Sequence, residues 1–429
     1  MSYKIISVFF IFAFLAVSTI AFLFWLEIQR FEPDVYYYVP AEKSFIYGQE
    51  EIAEFGFEEY IQERITTERA KLIEKKKSFI DLDLKKMQLT LYEEGKEFKK
   101  FPIIGKGKEG SWWETPPGAY FVGEKAVDHF SSVARAWMPY AVQFYGNFFI
   151  HGWPYYPGGR LLPAGPSGGC VRLNTSDSAV VFKFAERGMP VLVFEEKVSP
   201  SLPALIPTVK KILLPDLKAE NFLIADLETG EILLNKEMES EIYAGSAVAG
   251  MMALTSSEIV NLERRIVARD WMIVEGSGEK IIVPGRSYQG QDLLSPLLSR
   301  FSKEAALVLS RFYTPEFFVA AMNVKAKAIG MHNTGFADIT GVSKENTTTL
   351  YDVARMMRYI KEYRGFIFDV SRELRGPGEN EKESIFAVFK MNTADDISRN
   401  IFVGIANSED VEKDLENIAF WLNNNFGLK

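Results

Sequence analysis

Cysteine is almost missing from this sequence: Cys170 is the only one in 429 residues. A single thiol makes no disulfide within its own chain, so the fold must stand on its apolar cores. Histidine is nearly as scarce, with three residues at unrelated spacings. They supply no ligand cluster for a metal, and nothing in the sequence demands a cofactor. Excess positive charge is lacking too. The formal net charge of -8 argues against nucleic acid as a main partner. What is present is ordinary for globular protein, 47% hydrophobic and 25% charged. A chain of 429 residues has room for two or three domains.

Formal charge is absent from Ile5 to Leu26, a run of 22 residues. About 20 residues cross a bilayer as a helix. Lys4 precedes the run, and Glu27, Arg30, Glu32 and Asp34 follow it. That asymmetry favours the N-terminus inside and the rest outside. Residues 1–27 are therefore expected to be an uncleaved signal anchor, a transmembrane helix, with a cleaved signal peptide as the rival reading. Residues 28–77 read as a stalk that turns into a charged helical stretch from Glu50 to Lys77. Ile61, Ile65 and Leu72 recur there at approximate helical spacing.

From Ser78 the pattern changes to strands. Phe79 to Leu82, Met87 to Tyr92 and Phe98 to Ile104 form a hairpin around Glu93-Glu94-Gly95-Lys96. Thr115-Pro116-Pro117-Gly118 turns the chain into a strand from Ala119 to Val122. A helix from Asn174 or Thr175 to about Arg187 and a strand from Val191 to Phe194 complete this region.

Between these elements lies GNFFIHGWPYYPGGRLLPAGPSGGCVR, Gly146 to Arg172. An apolar strand leads to His151, and a loop rich in glycine and proline leads back to Cys170. A thiol and an imidazole in one loop are the minimum kit for thiolate catalysis. The imidazole takes the thiol proton and returns one to a leaving amine. The backbone N–H groups of Gly168, Gly169 and Cys170 are candidate oxyanion donors, because small residues permit close approach. The residue after the histidine, Gly152, can offer its carbonyl to the imidazole and fix its tautomer. The bland alternative is a buried cysteine beside a satisfied core histidine.

The segment 78–196 resembles the catalytic domain of the L,D-transpeptidases. The resemblance rests on FIDLDLKKMQLTLYEEGK, TPPGAYFV, the IHG at Ile150 to Gly152, and SGGCVRL at Ser167 to Leu173. It implies that Cys170 is the nucleophile and His151 the general base and acid. Cys170 would attack the bond between a diamino acid and D-Ala in a peptidoglycan tetrapeptide stem. Transfer to an amine of a second stem gives a cross-link; transfer to water makes the enzyme an L,D-carboxypeptidase. Arg172 would bind a substrate carboxylate or brace the loop, the plain alternative being a structural ion pair. Ser167 is expected within the loop, and Gly152, Tyr140 and Trp153 along the substrate site. Tyr140 and Trp137 are equally well core aromatics, Tyr155 and Tyr156 wall or packing residues, and His129 a loop residue.

Residues 197–215, with Pro200, Pro203, Pro207 and Pro215, read as a linker. Residues 216–429 open with a hairpin, Phe222 to Asp226 and Glu231 to Leu234. Helical patterns follow around Ser246–Val260, Leu293–Phe312, Thr314–Met322 and Thr348–Tyr363, then a strand Ile401–Ala406 and a helix Val411–Phe426. IADLETGEILLNKE, AIGMHNTGFADITGV and TTTLYDVARMMRYI resemble the serine-type D-alanyl-D-alanine carboxypeptidases. That chemistry needs a lysine one helical turn after the serine. At Ser246-Ala247-Val248-Ala249 the lysine position is alanine. The second motif falls at Phe301-Ser302-Lys303 with its polar positions lost, and Lys-Thr-Gly has no match. A Ser-x-x-Lys at Ser277 to Lys280 sits in a glycine-flanked turn and reads as chance. Ser246 is thus expected to be a degenerate serine site.

The fold expected is multidomain α+β: a transmembrane helix, a mostly-β L,D-transpeptidase domain, and a C-terminal α+β domain of the β-lactamase and transpeptidase type. Expected partners are peptidoglycan stem peptides, the membrane through the N-terminal helix, and cell-wall synthesis proteins. The expected location is the cell membrane, single-pass, with the globular domains extracytoplasmic. The alternative to an enzyme is a peptidoglycan-binding scaffold.

Overall fold

The first hairpin shows local sequence dictating backbone. β1 (Phe79–Asp83), β2 (Gln88–Glu93) and β3 (Lys96–Pro102) pair antiparallel in that order. Glu94 and Gly95 join β2 to β3 with φ of 49° and 75°, the left-handed pair that a two-residue hairpin turn favours. The computed structural model describes residues 60–131, 134–195, 202, 203, 205, 215–273, 282–377, 382–393 and 396–428. The expected membrane helix at 1–27, the stalk up to residue 59, most of the linker 197–215 and the Ser277–Lys280 turn lie outside the described residues. Among the described residues, no helix is long and apolar enough to cross a membrane.

α1 (Tyr60–Glu74) belongs to the stretch expected as stalk, yet it is packed. Ile65 is fully buried, and Arg69 holds Asp81 of β1 through two hydrogen bonds of 2.6 and 2.9 Å. Arg64 Nη1 lies 2.7 Å from His332 Nε2. Residues 60–74 are therefore part of the folded body.

β4 (Gly118–Phe121) is followed by β5 (Lys125–Ser131), β6 (Ala136–Tyr145), β7 (Phe148–His151), β8 (Val171–Arg172), α2 (Thr175–Phe184) and β9 (Pro190–Phe194). They form two sheets, ordered β3-β2-β1-β9-β4 and β5-β6-β7-β8. β1 pairs parallel with β9, and β7 parallel with β8. β5 and β6 were not anticipated from sequence. α2 ends at Phe184 rather than near Arg187, because Ala185 is already extended at ψ 133°. Gly188, at φ 83°, belongs to the turn before β9.

The second half supplies β10 (Asn221–Asp226), β11 (Ile232–Lys236), β12 (Ile242–Tyr243), α3 (Gly245–Ile259), β13 (Arg265–Val267), β14 (Ser287–Gln289), α4 (Leu294–Ser299), α5 (Lys303–Ser310) and α6 (Pro315–Ala328). β15 (Thr347–Thr348), α7 (Leu350–Tyr363), α8 (Phe366–Val370), β16 (Glu373–Pro377), β17 (Glu383–Asn392), β18 (Ser398–Ser408) and α9 (Val411–Phe426) complete it. The main sheet runs β11-β10-β18-β17-β16, all antiparallel. Strand alternation sorts its side chains into two layers. Leu223, Phe386, Val388 and Phe402 join the core around α3, while Ile224, Ile385, Ala387, Ile401 and Val403 pack with Trp421, Leu422 and Phe426 of α9. All of α3 is buried, as a helix apolar on every side must be. The helix expected over Leu293–Phe312 breaks in two at Phe301, whose φ is 50°, and Ser302 caps the second piece. α6 runs past Met322 to Ala328, because Asn323 and Lys325 find partners inside the protein.

The two halves share one apolar core and a buried charge cluster. Glu258 of α3 pairs with Lys325 of α6 at 2.9 Å and with Arg364 at 3.2 Å. Arg364 also reaches Glu114 of the first half, at 3.7 Å to its carboxylate and 3.1 Å to its backbone carbonyl. Lys325 Nζ donates to Tyr359 at 2.7 Å and to Tyr120 of β4 at 3.2 Å. Burial pushes the Lys325 amine down to about 7, against the pull of Glu258.

Candidate active site

β7 and β8 set the site. Their parallel register places Ile150 beside Val171 and His151 beside Arg172. Cys170 stands one residue before β8 and therefore beside Phe149. With side chains alternating along each strand, Phe149, His151, Cys170 and Arg172 share one face. Cys170 packs there with Met138, Ala141 and Phe149.

The imidazole is fixed by its own neighbour. His151 Nδ1 donates to Gly152 O at 2.6 Å, leaving Nε2 as the nitrogen that can accept a proton. Gly152 is buried, its N–H donates to Pro139 O at 2.8 Å, and a Cβ there would meet Ser178 Oγ at 2.7 Å. Gly152 thus holds the histidine through its carbonyl, as its place after His151 implies, and is itself packed in. His151 is only 2% exposed. Burial lowers it to about 4, the Gly152 bond opposing and the Arg172 and His129 charges adding.

The thiol is also held neutral. Cys170 is 9% exposed, and Sγ donates to Asn147 O at 3.5 Å. Burial pushes it up to about 11, against a backbone bond at Phe149 and the Arg172 charge. The resting site is therefore a neutral thiol and a neutral imidazole.

The loop before Cys170 is built from main-chain contacts. Ser167 Oγ donates to Cys170 O at 2.5 Å and accepts from Gly169 N at 3.0 Å. Gly169 N–H is thus engaged and is not the free oxyanion donor expected. The N–H groups of Gly168 and Cys170 have no partner among the described residues and remain as donors. Gly169 adopts φ 99°, and a Cβ there would lie 2.2 Å from Phe148 Cε1. A Cβ at Gly168 would meet only Trp113, at 3.9 Å. Thr115, seen in the sequence only as part of a turn, donates to Gly169 O at 2.8 Å.

Arg172 donates to Gly165 O at 2.9 Å and lies over the Trp153 ring at 5.8 Å. Among the described residues it has no carboxylate partner, so the structural ion pair is not found. Trp153 Nε1 donates to Leu162 O at 2.9 Å, tying down the same loop. Tyr140 has φ 52°, and its ring meets Phe182 of α2 at 5.9 Å. Trp137 packs edge-on to Phe130, and Tyr155 bonds Asp128. His129 lies in β5, not in a loop, with its ring 4.5 Å from Phe149.

In the second half, Ser246 opens α3, 2% exposed, with no partner for its hydroxyl among the described residues. One turn on, Ala249 offers no base. Ser302 caps α5 and donates to Glu304 at 3.0 Å.

Comparison with known families gives two matches in tandem. Residues 77–193 match the L,D-transpeptidase catalytic domain. Residues 208–375 match the D-alanyl-D-alanine carboxypeptidase family. The chain joins these two domain types. This chain is 36% identical over 154 residues to a D-alanyl-D-alanine endopeptidase of Escherichia coli, covering 35% of this chain and 49% of that protein. It is 23% identical over 154 residues to the D-alanyl-D-alanine carboxypeptidase DacF of Bacillus subtilis, covering 34% of this chain and 40% of that protein. The chain thus spans about half the length of the curated relatives it matches, or less. A solved D-alanyl-D-alanine carboxypeptidase of Mycobacterium tuberculosis aligns at 18% identity and a TM-score of 0.43, over 51% of this chain and 95% of that one. The transpeptidase-type domain is the mostly-β half, and it carries Cys170 and His151.

Proposed function

We propose that the chain is a cell-wall L,D-transpeptidase whose reaction centre is Cys170, with an accessory carboxypeptidase-type domain that no longer acylates at Ser246. The observation that carries this is the match of residues 77–193 together with a thiol and a tautomer-fixed imidazole on one strand face. Sγ attacks the carbonyl between the diamino acid and D-Ala while its proton passes to His151 Nε2. The oxyanion meets the N–H groups of Gly168 and Cys170. The C–N bond breaks, the proton goes to the D-Ala amine, and a thioester remains. An amine of a second stem attacks the thioester, forms the cross-link and releases the thiol. Arg172, a buried cation without a carboxylate partner among the described residues, suits a stem carboxylate. The charge-free run Ile5–Leu26 supports anchoring in the membrane with the domains outside.

The test is product analysis. The protein is incubated with peptidoglycan carrying tetrapeptide stems, and the fragments are weighed by mass spectrometry. Dimers joined through two diamino acids support transpeptidation. Tripeptides with free D-Ala mean hydrolysis on the same site. Unchanged stems contradict both and leave the scaffold.

A further inference from the structure

The turn between β6 and β7 is Gly146-Asn147, and it touches both domains. Its main chain belongs to the thiol: Asn147 O accepts from Cys170 Sγ at 3.5 Å. Its side chain belongs to the other half. Asn147 Nδ2 donates to Ile259 O at 2.9 Å and lies in hydrogen-bond contact with the hydroxyl of Tyr313.

Ile259 is the last residue of α3, the helix that opens with Ser246. The final carbonyls of a helix have no partner inside it and need one from elsewhere. Asn147 supplies that partner. Tyr313 adds a weaker contact to the same carbonyl at 3.4 Å and stacks on Phe317. Gly146 is fitted to the same contact. Its φ is 45°, and a Cβ there would lie 2.6 Å from Ile259 Cγ2. The turn is therefore shaped to receive the end of α3; within the hairpin, Gln143 Nε2 holds the carbonyl of Gly146 at 2.6 Å, while the Asn147 side chain is held from the other half.

We propose that Asn147 is a positioning residue for Cys170, and that the carboxypeptidase-type domain acts on the reaction through it. The end of α3 and Tyr313 hold the turn, and the turn's carbonyl holds the thiol in its resting place. This gives the second domain a role that requires neither a serine nucleophile nor a ligand of its own. It rests on the reading of Cys170 as nucleophile, because positioning a thiol matters only if the thiol reacts. During turnover the S–H bond to Asn147 O is released as the proton moves to His151. Slack in the turn lets Sγ drift from its line of attack, and misplacement by about 1 Å costs on the order of a hundredfold in rate.

The intact chain tests this, because Cys170 is the only cysteine in the sequence. Uptake of iodoacetamide therefore reports that thiol alone, without substrate or turnover. Asn147→Ala and Tyr313→Phe are compared with wild type across pH. His151, Arg172 and His129, the titratable groups around the thiol, are the same in all three, as is Arg264 near Tyr313. The expected result is faster alkylation and a lower pH midpoint in Asn147→Ala, with the same change, smaller, in Tyr313→Phe. On peptidoglycan, kcat falls by about tenfold or more while KM stays near wild type. Trp421→Phe, in the separate core under α9, controls for general loosening and leaves the profile unchanged.

If Asn147→Ala fails to fold, Tyr313→Phe, which loses one oxygen, carries the test alone. Folded variants with wild-type alkylation profiles would overturn the proposal. So would an equal shift in Trp421→Phe. A shifted profile in a protein whose wild type makes no product would instead sink the transpeptidase reading and leave the contact standing.

Discussion

Gly168 and Gly169 are alike in the sequence and differ in the structure. Gly169 has a left-handed backbone and its Cβ position is filled by Phe148, whereas Gly168 faces open space beside Trp113. Gly169→Ala is therefore expected to displace Cys170 and cut kcat/KM by about a hundredfold. Gly168→Ala keeps a wild-type melting temperature and loses less of kcat/KM than Gly169→Ala. Equal losses in steady-state assays of the two would contradict the loop geometry. The same scale sets the pH profile. With His151 lowered to about 4 and Cys170 raised to about 11, kcat/KM is expected to be flat near neutrality and to fall on the acid side around 4. An acid limb at about 6.5, the ordinary histidine value, would show an imidazole far more exposed to water than it is here.

Among the elements, α3 has the most to explain. It lies in the half that matches the carboxypeptidase family, and it has alanine at position 249, one turn after Ser246. Its outer turns serve the joint between domains: Glu258 meets Lys325 and Arg364, and Ile259 meets Asn147. Glu258→Gln leaves two buried cations with Glu114 as the remaining carboxylate. Removing one partner of a buried pair costs about 3–5 kcal/mol, so chemical denaturation should show a loss of that size. A loss under about 1 kcal/mol, as for a surface pair, would contradict the buried cluster. The sequence reached α3 and α9 nearly to the residue, since apolar content and caps are local signals. It did not reach Asn147, Glu258 or Lys325 as a set. They lie between 67 and 178 positions apart in the sequence, and each looks like an ordinary surface residue there. β5 and β6 were missed for a related reason. β5 is an edge strand with charged and exposed positions, and Tyr140 interrupts the alternation of β6 with its positive φ.

For the whole molecule, the shared core and charge cluster mean that the two domains stabilise each other. A single calorimetric unfolding transition is expected for residues 60–428; two separated transitions would show that the joint contributes little. Acid should weaken the whole. His151 is lowered to about 4 and His332 to about 3 in the folded state, both mainly by burial. The unfolded chain therefore binds more protons below about 6.5, and stability falls as pH drops from there toward 4, by up to ~1.4 kcal/mol per pH unit for each histidine. The motif around Cys170 was legible because its residues are close in sequence. The dependence of that motif on the second domain was not, because it is carried by tertiary contacts alone. The most direct test of the central claim is to locate the acyl group. The protein is treated with an acylating carbapenem, digested, and mapped by mass spectrometry. One adduct on the peptide holding Cys170, absent from Cys170→Ala, is the result expected. An adduct at Ser246, or none on the folded wild type, would contradict it.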